Sequence, residues 1–294
     1  MNKLLLAKKN KAIEQFQQGN LAVAEKIIHQ VCKKARQDAE SWFVLGLINA
    51  NKSMHAQAAE AFERVIKIGD NKYIRDSSVN LGVALSSLKK YKRSRNILEQ
   101  VIGRYSDEAD AYINLVTSCI KLKDNDKAFE YAQRAVELAP EQAMAQQNYG
   151  AICSILEKYD SAESAFEKAI KLDRNNIETY ISYARMLGHA KRYSRAIDMC
   201  KTVLRMAPKE MRVIGSLIKY KIEQGMLCEA LQEYRQLMLD GVIKVEDATG
   251  YLLDIQYDHH STPETIFEAH KRWGVAYAQA VAEHNKTNKH IVHE

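Results

Sequence analysis

The stretch "ADAYINLVTSCIKLKDNDKAFEYAQRAVELAP", Ala109–Pro140, decides the fold. Its small residue Ala128 has a counterpart at regular distances in both directions along the chain. The counterparts are separated by 34 residues, except for one interval of 36, and the series runs Ala24, Ala58, Ser94, Ala128, Ala162, Ala196 and Ala230. A fixed period of this length marks an internal repeat, and a repeat predicts the architecture before any other feature.

Further positions keep the same phase. A bulkier apolar residue lies four places after the small residue in most repeats, as Phe62, Leu98, Phe166 and Tyr234. A glycine lies twelve places before the small residue in three repeats, as Gly46, Gly82 and Gly150. Pro140 and Pro208 close two repeats. This spacing predicts two antiparallel helices joined by a tight turn, in which the small residues lie where the helices cross and let the axes approach to about 8–10 Å.

The pattern W…LG…Y…A…F…A…P resembles the tetratricopeptide repeat (TPR). Seven repeats begin near Leu5, Ala39, Arg75, Ala109, Ala143, Ile177 and Met211, and the two extra residues fall near "GDNKY", in the predicted loop before the third repeat. The resemblance implies an all-α fold: an α-solenoid, in this family a right-handed superhelix, of about seven TPR helix pairs with C-terminal capping helices. We expect residues 1–240 to form the TPR superhelix and residues 241–294 a helical cap or junction.

Composition, charge and cysteine spacing limit the kinds of partner and compartment that the sequence predicts. With only 12 Gly and 3 Pro the chain is predicted to be mostly helical, and its net charge of +6 is too mild to indicate nucleic acid. The apolar run Leu4–Ala7 is too short for a signal peptide or a membrane span. The five Cys contain no C-x-x-C pair. These features predict a cytoplasmic protein without disulfides, with no nucleic-acid or membrane partner.

In the TPR family the first helix of each repeat lines the concave face. The sixth position of that helix reads Asn10, Val44, Asn80, Asn114, Asn148, Ser182 and Ser216. A carboxamide both donates and accepts hydrogen bonds, so consecutive amides can pair with the backbone of an extended ligand. The alternative is that these Asn bond locally and are structural. Further candidates on the predicted face are Phe43, Ile113, Gln147, Ile181, Arg185 and Lys219. The carboxylate clamp of chaperone-binding TPRs is not matched, because Val44 and Asp76 occupy positions that would need an amide and a cation.

No catalytic constellation, cofactor motif or metal motif is found. The basic run "KKYKRSR", Lys89–Arg95, spans a predicted turn. Six of the nine His fall near the C-terminus, scattered over a loop, a helix and the chain end, so no metal site is predicted: His259, His260, His270, His284, His290 and His293.

The C-terminal segment begins with a predicted helix in "VEDATGYLLDIQYD" and a loop at "HHST". Ser261 with Glu264 predicts a capping box for a last helix. This helix carries apolar residues at spacings of three or four that predict a buried stripe: Ile266, Phe267, His270, Trp273, Tyr277 and Val281.

The phrase "YLLDIQYDHHSTPETIFEAHKRWG" resembles the junction between TPRs and transferase lobes in bacterial proteins of the O-GlcNAc transferase (SPINDLY-like) family. The matching residues are Leu252, Leu253, Tyr257, Ser261, Pro263, Glu264, Phe267, His270 and Trp273. In that family a long α/β region with the sugar-nucleotide site follows, whereas this sequence stops at Glu294, so no donor-binding or catalytic residue can be carried over.

Together these features predict a non-enzymatic scaffold that binds a protein or an extended peptide segment in the concave groove. A homo-oligomer is compatible with the sequence. The alternative is the substrate-recruiting TPR part of a truncated or split O-GlcNAc-transferase-like protein glycosyltransferase.

Overall fold

The computed structural model describes residues 3–244, 249–258 and 260–291, with side-chain environments for all of these except 249, 280, 281 and 283–291. These residues form sixteen α-helices and one 3₁₀ helix, and no β-strand occurs among them. The predicted all-α solenoid class is confirmed. The chain divides into two compact units, Met1–Arg174 and Asn175–Glu294, here called the N-terminal and C-terminal units. This division lies inside the predicted TPR domain, and the predicted boundary after residue 240 stays a prediction.

The N-terminal unit contains the first five repeats, each a pair of helices. The first helices are α1 Lys3–Gln17, α3 Ala39–Asn51, α5 Asn71–Ser87, α7 Ala109–Lys121 and α9 Ala143–Ile155. The second helices are α2 Leu21–Lys34, α4 His55–Ile68, α6 Tyr91–Arg104, α8 Asn125–Leu138 and α10 Tyr159–Leu172. Each first helix contacts its own second helix and the first helix of the next repeat in the unit, so the five first helices lie side by side.

The C-terminal unit contains the last two repeats and the segment beyond them. Its helices are α11 Ile177–His189, α12 Tyr193–Met206, α13 Met211–Glu223, α14 Leu227–Leu239 and α15 Thr249–Asp254, then the 3₁₀ helix Ile255–Tyr257 and α16 Pro263–Ile291. The predicted helix in "VEDATGYLLDIQYD" is therefore α15 with the 3₁₀ helix, while residues 245–248 lie outside the description. None of the described helices combines the length and the apolar character needed to cross a membrane.

The predicted helix crossings are confirmed. The small residue of every repeat is completely buried, from Ala24 to Ala230. A Cβ atom added to Gly82 would lie 2.6 Å from Cδ2 of Leu98, and one added to Gly46 would lie 2.5 Å from a ring carbon of Phe62. These pairs are the glycines and bulky residues that the repeat pattern singled out, and they explain why the two positions occur together.

The turn inside each helix pair has a residue of left-handed backbone conformation. It falls at one repeat position throughout: Gly19, Ser53, Lys89, Lys123, Glu157, Lys191 and Gly225, with φ between 57° and 82°. Only the first and last repeats use glycine there, so five residues carry the steric cost of a Cβ in this region. The recurrence supports seven repeats in one phase.

The two extra residues of the third repeat do not lengthen a loop, which corrects the prediction. Gly69 ends α4 in the left-handed conformation, and Asp70 caps α5 by accepting a 3.0 Å hydrogen bond from the Lys72 backbone N–H. Because a good cap follows directly, α5 starts at Asn71 and extends over 17 residues, against 13 in α3 and α7.

The capping box of α16 lies one residue beyond the predicted Ser261–Glu264 pair. Pro263 is the first residue of the helix, which makes Thr262 the cap. The Thr262 hydroxyl accepts from the Thr265 backbone N–H at 3.3 Å, and the Thr265 hydroxyl accepts from the Thr262 N–H at 2.8 Å. Ser261 donates its hydroxyl to Asp258 instead.

The apolar stripe of α16 also differs from the prediction. Ile266, Ala269 and Trp273 pack against a cluster from α14, α15 and the 3₁₀ helix, formed by Leu231, Tyr251, Leu252 and Ile255. Phe267 is 64 % exposed because it lies one position off this stripe, and Tyr277 is exposed as well. His270 bonds its own helix through the Ile266 carbonyl, and the side chain of Val281 lies outside the description.

Candidate peptide-binding face

Three first helices of the N-terminal unit carry the predicted amides. Asn80 lies on α5, Asn114 on α7 and Asn148 on α9, and these helices contact one another in that order. All three side chains are half-buried. We call Asn80, Asn114 and Asn148 the Asn row. Because their positions in the repeat are equivalent, the row continues from helix to helix across the face.

Each amide of the Asn row uses one N–H within the fold. Asn80 donates to the carbonyl of Asp76 at 2.8 Å and Asn114 to that of Asp110 at 2.7 Å, one turn earlier in the same helix. Asn148 instead donates to the carbonyl of Ile113 on α7, at 2.8 Å, and so links two repeats. The local bonding that the sequence left open is therefore present. It leaves the second N–H and the amide oxygen of each side chain, and the oxygens accept no hydrogen bond from the described residues.

Apolar side chains accompany the Asn row on the same helix faces. Val83 follows Asn80 by three residues, while Met144 and Ile155 lie four before and seven after Asn148. They are 39 %, 45 % and 45 % exposed, respectively. Spacings of three, four and seven place residues on one side of a helix, so a ligand on the amides would also contact these groups.

Exposed carboxylates lie one turn before two of the amides. Asp76 precedes Asn80 and Asp110 precedes Asn114 by four residues, and both are exposed. Asp110 accepts a 2.9 Å hydrogen bond from the Gln142 side chain, which leaves its charge uncompensated. The nearby cation Arg75 is engaged with Glu108. The charges one turn from the amides are therefore acidic, while the exposed cations Lys72 and Lys121 lie two turns away on the same helices.

Lys9, Asp38 and Glu40 form a charged cluster between the first two repeats. Lys9 is buried and contacts Glu40 at 2.6 Å and Asp38 at 3.4 Å. Burial lowers the pKa of Lys9, but the two carboxylates outweigh this effect and hold it above the ordinary value. The hydrogen bond from Lys9 in turn lowers the pKa of Glu40. Asn10, beside Lys9, is exposed on α1.

The other predicted residues of the N-terminal unit have mixed environments. Phe43 is half-buried, with its ring centroid 5.4 Å from that of Tyr73 and 6.0 Å from that of Phe62. The Ile113 side chain is buried, and its backbone carbonyl accepts the hydrogen bond from Asn148. Gln147 is half-buried beside Asn148.

The corresponding positions of the C-terminal unit carry different chemistry. Ser182 and Ile181 are half-buried on α11, where Arg185 is exposed. Lys219 is exposed on α13. Ser216, which stands where the amides stand in the Asn row, donates its hydroxyl to the carbonyl of Arg212 at 3.0 Å.

Four cysteines are buried and have the pKa of core thiols. Burial raises the pKa of Cys119 to about 11 and that of Cys32 and Cys200 to about 12, and it raises the pKa of Cys153 as well. A thiol with such a pKa is protonated near neutral pH and is a poor nucleophile. These four residues therefore act as packing groups.

Sequence reasoning missed one cluster. Cys228, Asp258 and His260 place a sulfur, a carboxylate oxygen and a ring nitrogen close together, and they are the one such metal-ligand group found within the described residues. Cys228 and Asp258 are 30 residues apart and share no motif, so only the tertiary structure brings them together.

Comparison with known proteins agrees with the repeat architecture. The family model described as the tetratricopeptide repeat protein 21 C-terminal ARM domain matches residues 71–221, and a tetratricopeptide repeat model matches residues 9–72. The chain is 28 % identical over 156 residues to the mouse (Mus musculus) protein O-mannosyl-transferase TMTC1, which covers 52 % of this chain and 13 % of that protein. It is 22 % identical over 196 residues to anaphase-promoting complex subunit 3 of Schizosaccharomyces pombe, covering 66 % and 29 %. It thus spans less than a third of these relatives.

Solved structures share the fold. MamA from Desulfovibrio magneticus RS-1, from residue 41 to its end, matches with a TM-score of 0.53 and 24 % identity, over 60 % of this chain and 98 % of that one. A chain of the APC/C hetero-tetramer Cut9–Hcn1 matches with a TM-score of 0.66 and 17 % identity, over 74 % of this chain and 42 % of that one. At these identities the likeness concerns the fold alone.

Proposed function

Since this chain belongs to the tetratricopeptide repeat proteins, in the family of the tetratricopeptide repeat protein 21 C-terminal ARM domain, we propose that it is a non-enzymatic interaction protein. It binds an extended polypeptide segment along α5, α7 and α9 of the N-terminal unit. The observation that carries this proposal is the Asn row, whose three amides repeat at equivalent positions and whose oxygens accept no hydrogen bond from the residues that the structure describes.

Backbone pairing explains what the Asn row contributes. An extended chain rises about 3.3 Å per residue, and neighbouring first helices are about 10 Å apart. Each amide therefore meets about every third residue of the ligand. Contacts of this kind hold the backbone and tolerate many side chains.

The amides alone are not sufficient for useful affinity. Three hydrogen bonds at about 0.5–1.5 kcal/mol each reach a millimolar dissociation constant at best. Val83, Met144 and Ile155 supply the apolar contacts that add to this energy. Asp76 and Asp110 favour a segment that contains Lys or Arg, since an opposite charge beside the amides raises the association rate and fixes the register. The proposed ligand is therefore an extended segment with alternating basic and apolar side chains.

A protein partner fits the surface better than nucleic acid does. The basic run Lys89–Arg95 is interrupted by pairing: Arg93 contacts Glu63 at 2.9 Å and Arg95 contacts Asp124 at 3.0 Å. Such pairs leave no continuous cationic stripe for phosphates. We further propose that the chain functions in the cytoplasm, which its odd number of cysteines without a C-x-x-C pair supports. A fluorescent fusion in the source cell tests the compartment, and light scattering tests whether the chain self-associates.

The test is a selection from a random peptide display library, with the wild-type chain as bait. We expect enriched peptides to carry Lys or Arg with apolar residues between them, and we expect the Asn80→Ala/Asn114→Ala/Asn148→Ala variant to bind the best of them at least about tenfold more weakly. The matched control replaces three exposed amides of second helices, Asn96, Gln100 and Gln133, by Ala. Equal loss in both triple variants, or no loss in either, would refute the proposed site.

A second candidate is the substrate-recruiting part of a protein glycosyltransferase. It is supported by the resemblance of the segment Leu252–Trp273 to a transferase junction and by the exposed apolar residues of α16, among them Phe267, Val275 and Tyr277. A relative carries the name protein O-mannosyl-transferase, although it matches over a small part of its length.

This candidate is tested by reading the gene and transcript beyond the Glu294 codon. Transferase sequence in frame, or in an adjacent gene whose product binds the chain, would support it. The Phe267→Asp/Tyr277→Asp variant should then lose that product while keeping the selected peptides. If neither the same reading frame nor an adjacent gene encodes transferase sequence, the second candidate is rejected and the first proposal remains.

A further inference from the structure

The Cys228 cluster lies where the C-terminal segment meets the last repeat. Cys228 is the second residue of α14, while Asp258 and His260 follow the 3₁₀ helix and precede α16. The Cys228 Sγ atom lies 3.5 Å from Oδ1 of Asp258 and 3.4 Å from Nδ1 of His260. The third side of the triangle, from His260 Nδ1 to Asp258 Oδ1, is 3.4 Å.

These distances match the edges of a metal coordination tetrahedron. Bonds of about 2.3 Å to sulfur, 2.0–2.1 Å to nitrogen and 2.0–2.2 Å to oxygen are typical of Zn²⁺. With tetrahedral angles they place the sulfur about 3.6 Å from either light atom, and the nitrogen about 3.4 Å from the oxygen. All three observed separations fall within about 0.2 Å of these edges. Hydrogen bonds that link the three groups in a chain would bring only two of the three pairs of atoms together and would not require the third pair to be equally close.

From this geometry we propose that Cys228, Asp258 and His260 bind Zn²⁺ and thereby fasten Asp258 and His260 to the start of α14. A thiolate with an imidazole favours zinc over the hard cations Mg²⁺ and Ca²⁺. A thiolate and a carboxylate together balance the two positive charges of the ion. When the ion binds, the thiol proton that Cys228 otherwise shares with Asp258 leaves to solvent.

The surroundings of the cluster fit a site with three protein ligands and one water. Asp258 is buried, and its carboxylate is oriented by the Ser261 hydroxyl at 2.9 Å and the His260 backbone N–H at 3.2 Å. Groups that orient a ligand in this way strengthen metal binding. The His260 side chain is 69 % exposed, which leaves the ion an entry path and room for the fourth ligand.

Metal binding at this site would affect the junction between α14 and α16, and not the peptide-binding face. The ligands come from α14 and from the loop before α16, so the metal closes a loop that contains α15 and the 3₁₀ helix. Binding energy gained by the folded form alone raises its stability. The site therefore holds the base of α16, and it does so whether or not the Asn row binds a peptide.

The experiment titrates Co²⁺ into the full-length chain after treatment with a chelator. We expect about one equivalent to bind, with visible bands of tetrahedral Co²⁺ and a near-ultraviolet thiolate charge-transfer band, and we expect Zn²⁺ to displace it. Cys228→Ser should abolish the charge-transfer band, while Asp258→Asn and His260→Ala should each weaken binding at least about tenfold. His189→Ala, which removes an exposed histidine of α11, is the matched control and should change nothing.

Stability provides the second readout. Zn²⁺ should raise the Tm of the wild-type chain and leave the Tm of Cys228→Ser unchanged, and circular dichroism in the presence of chelator checks that each variant folds. Cys228→Ser preserves the shape of the side chain, so a folded variant that still binds Co²⁺ with the wild-type spectrum and affinity would overturn the proposal. Binding without a thiolate band in the wild type would overturn it equally.

Discussion

The N-terminal and C-terminal units share one repeat scaffold and differ in the face that their first helices carry. The small residues at the helix crossings are completely buried in both, as Ala162 and Ala196 show. At the sixth position, however, Asn114 and Asn148 give way to Ser182 and Ser216. The comparison teaches that scaffold positions and ligand positions are separate sets, so one set can change while the other is kept.

The charges of the two faces differ in sign. Within one turn of the Asn row the exposed charges are the carboxylates of Asp76 and Asp110, with the exposed cations Lys72 and Lys121 two turns away, whereas the exposed candidates of the C-terminal unit are the cations Arg185 and Lys219. A single extended ligand with one kind of charge would be favoured by only one of the units. This difference is the reason to assign the basic segment to the N-terminal unit.

The largest effect is expected at the helix crossings, where both units should respond alike. Ala162→Leu and Ala196→Leu each insert a bulky side chain at a completely buried contact, and each should lower the free energy of unfolding by about 1–3 kcal/mol. Urea denaturation followed by circular dichroism measures the change.

The control is Ala56→Leu, at an exposed alanine of α4, which should have little effect. A cost confined to one unit would mean that the repeat phase is not common to both. A neutral result at Ala162 would count against the assigned helix crossing.

The glycines of the first helices should separate the two units. A Cβ at Gly82 would lie 2.6 Å from the buried Leu98 side chain, so Gly82→Ala should cost about 1–2 kcal/mol. At Gly215 of α13 no atom apart from its chain neighbours and the backbone of its own helix lies within 4 Å of the added Cβ, and Gly215→Ala should stabilise by about 0.5–1 kcal/mol through the higher helix propensity of alanine. Chemical denaturation of the two variants side by side measures both signs. A stabilising Gly82→Ala would show that Leu98 can move away.

The turns give a smaller contrast. Gly225 has a φ of +82°, so Gly225→Ala should cost about 1 kcal/mol. Lys123 adopts the same region with a φ of 61°, and Lys123→Gly should gain a few tenths of a kcal/mol after the extra entropy of the unfolded chain is counted. Thermal unfolding of both variants against wild type checks the signs. If both changes destabilise, contacts of the Lys123 side chain outweigh its backbone strain.

The sequence predicts the scaffold well because each repeat must satisfy the same contact. A small residue that recurs about every 34 positions indicates the close approach of two helices in each repeat. The series from Ala24 to Ala230 is completely buried, as this contact requires. Local ambiguity explains the shifted cap of α16, since Ser261 and Thr262 are both favoured cap residues, and the position of Pro263 as the first helical residue decides between them. The burial of Ala269 in place of Phe267 follows from the rotation of the helix on its neighbours, which no single-helix pattern contains.

The candidate sites were predictable to different degrees. Periodicity is enough to predict which helices carry Asn80, Asn114 and Asn148, but not that Asn148 donates to a neighbouring repeat while the other two donate within their own helix. The exposure of Val83 and Met144 depends on packing between repeats. The Cys228 cluster has no linear signature, because its ligands belong to separate elements that meet only in the folded unit.

The smallest expected effect tests the charge difference itself. Asp76→Asn/Asp110→Asn removes two exposed carboxylates beside the Asn row and should weaken a basic peptide several-fold, since exposed charge pairs contribute about 0.2–1 kcal/mol each. Added salt should diminish the wild-type affinity more than that of the variant, because screening removes the same interaction. Arg185→Gln/Lys219→Gln is the matched change in the C-terminal unit and should leave the affinity of this peptide unaltered or slightly raised. Fluorescence polarisation of one labelled peptide at two salt concentrations measures all of these values. If the C-terminal pair weakens the basic peptide as much as the N-terminal pair does, the charges of the two faces do not select the ligand, and the assignment of a basic segment to the N-terminal unit is wrong.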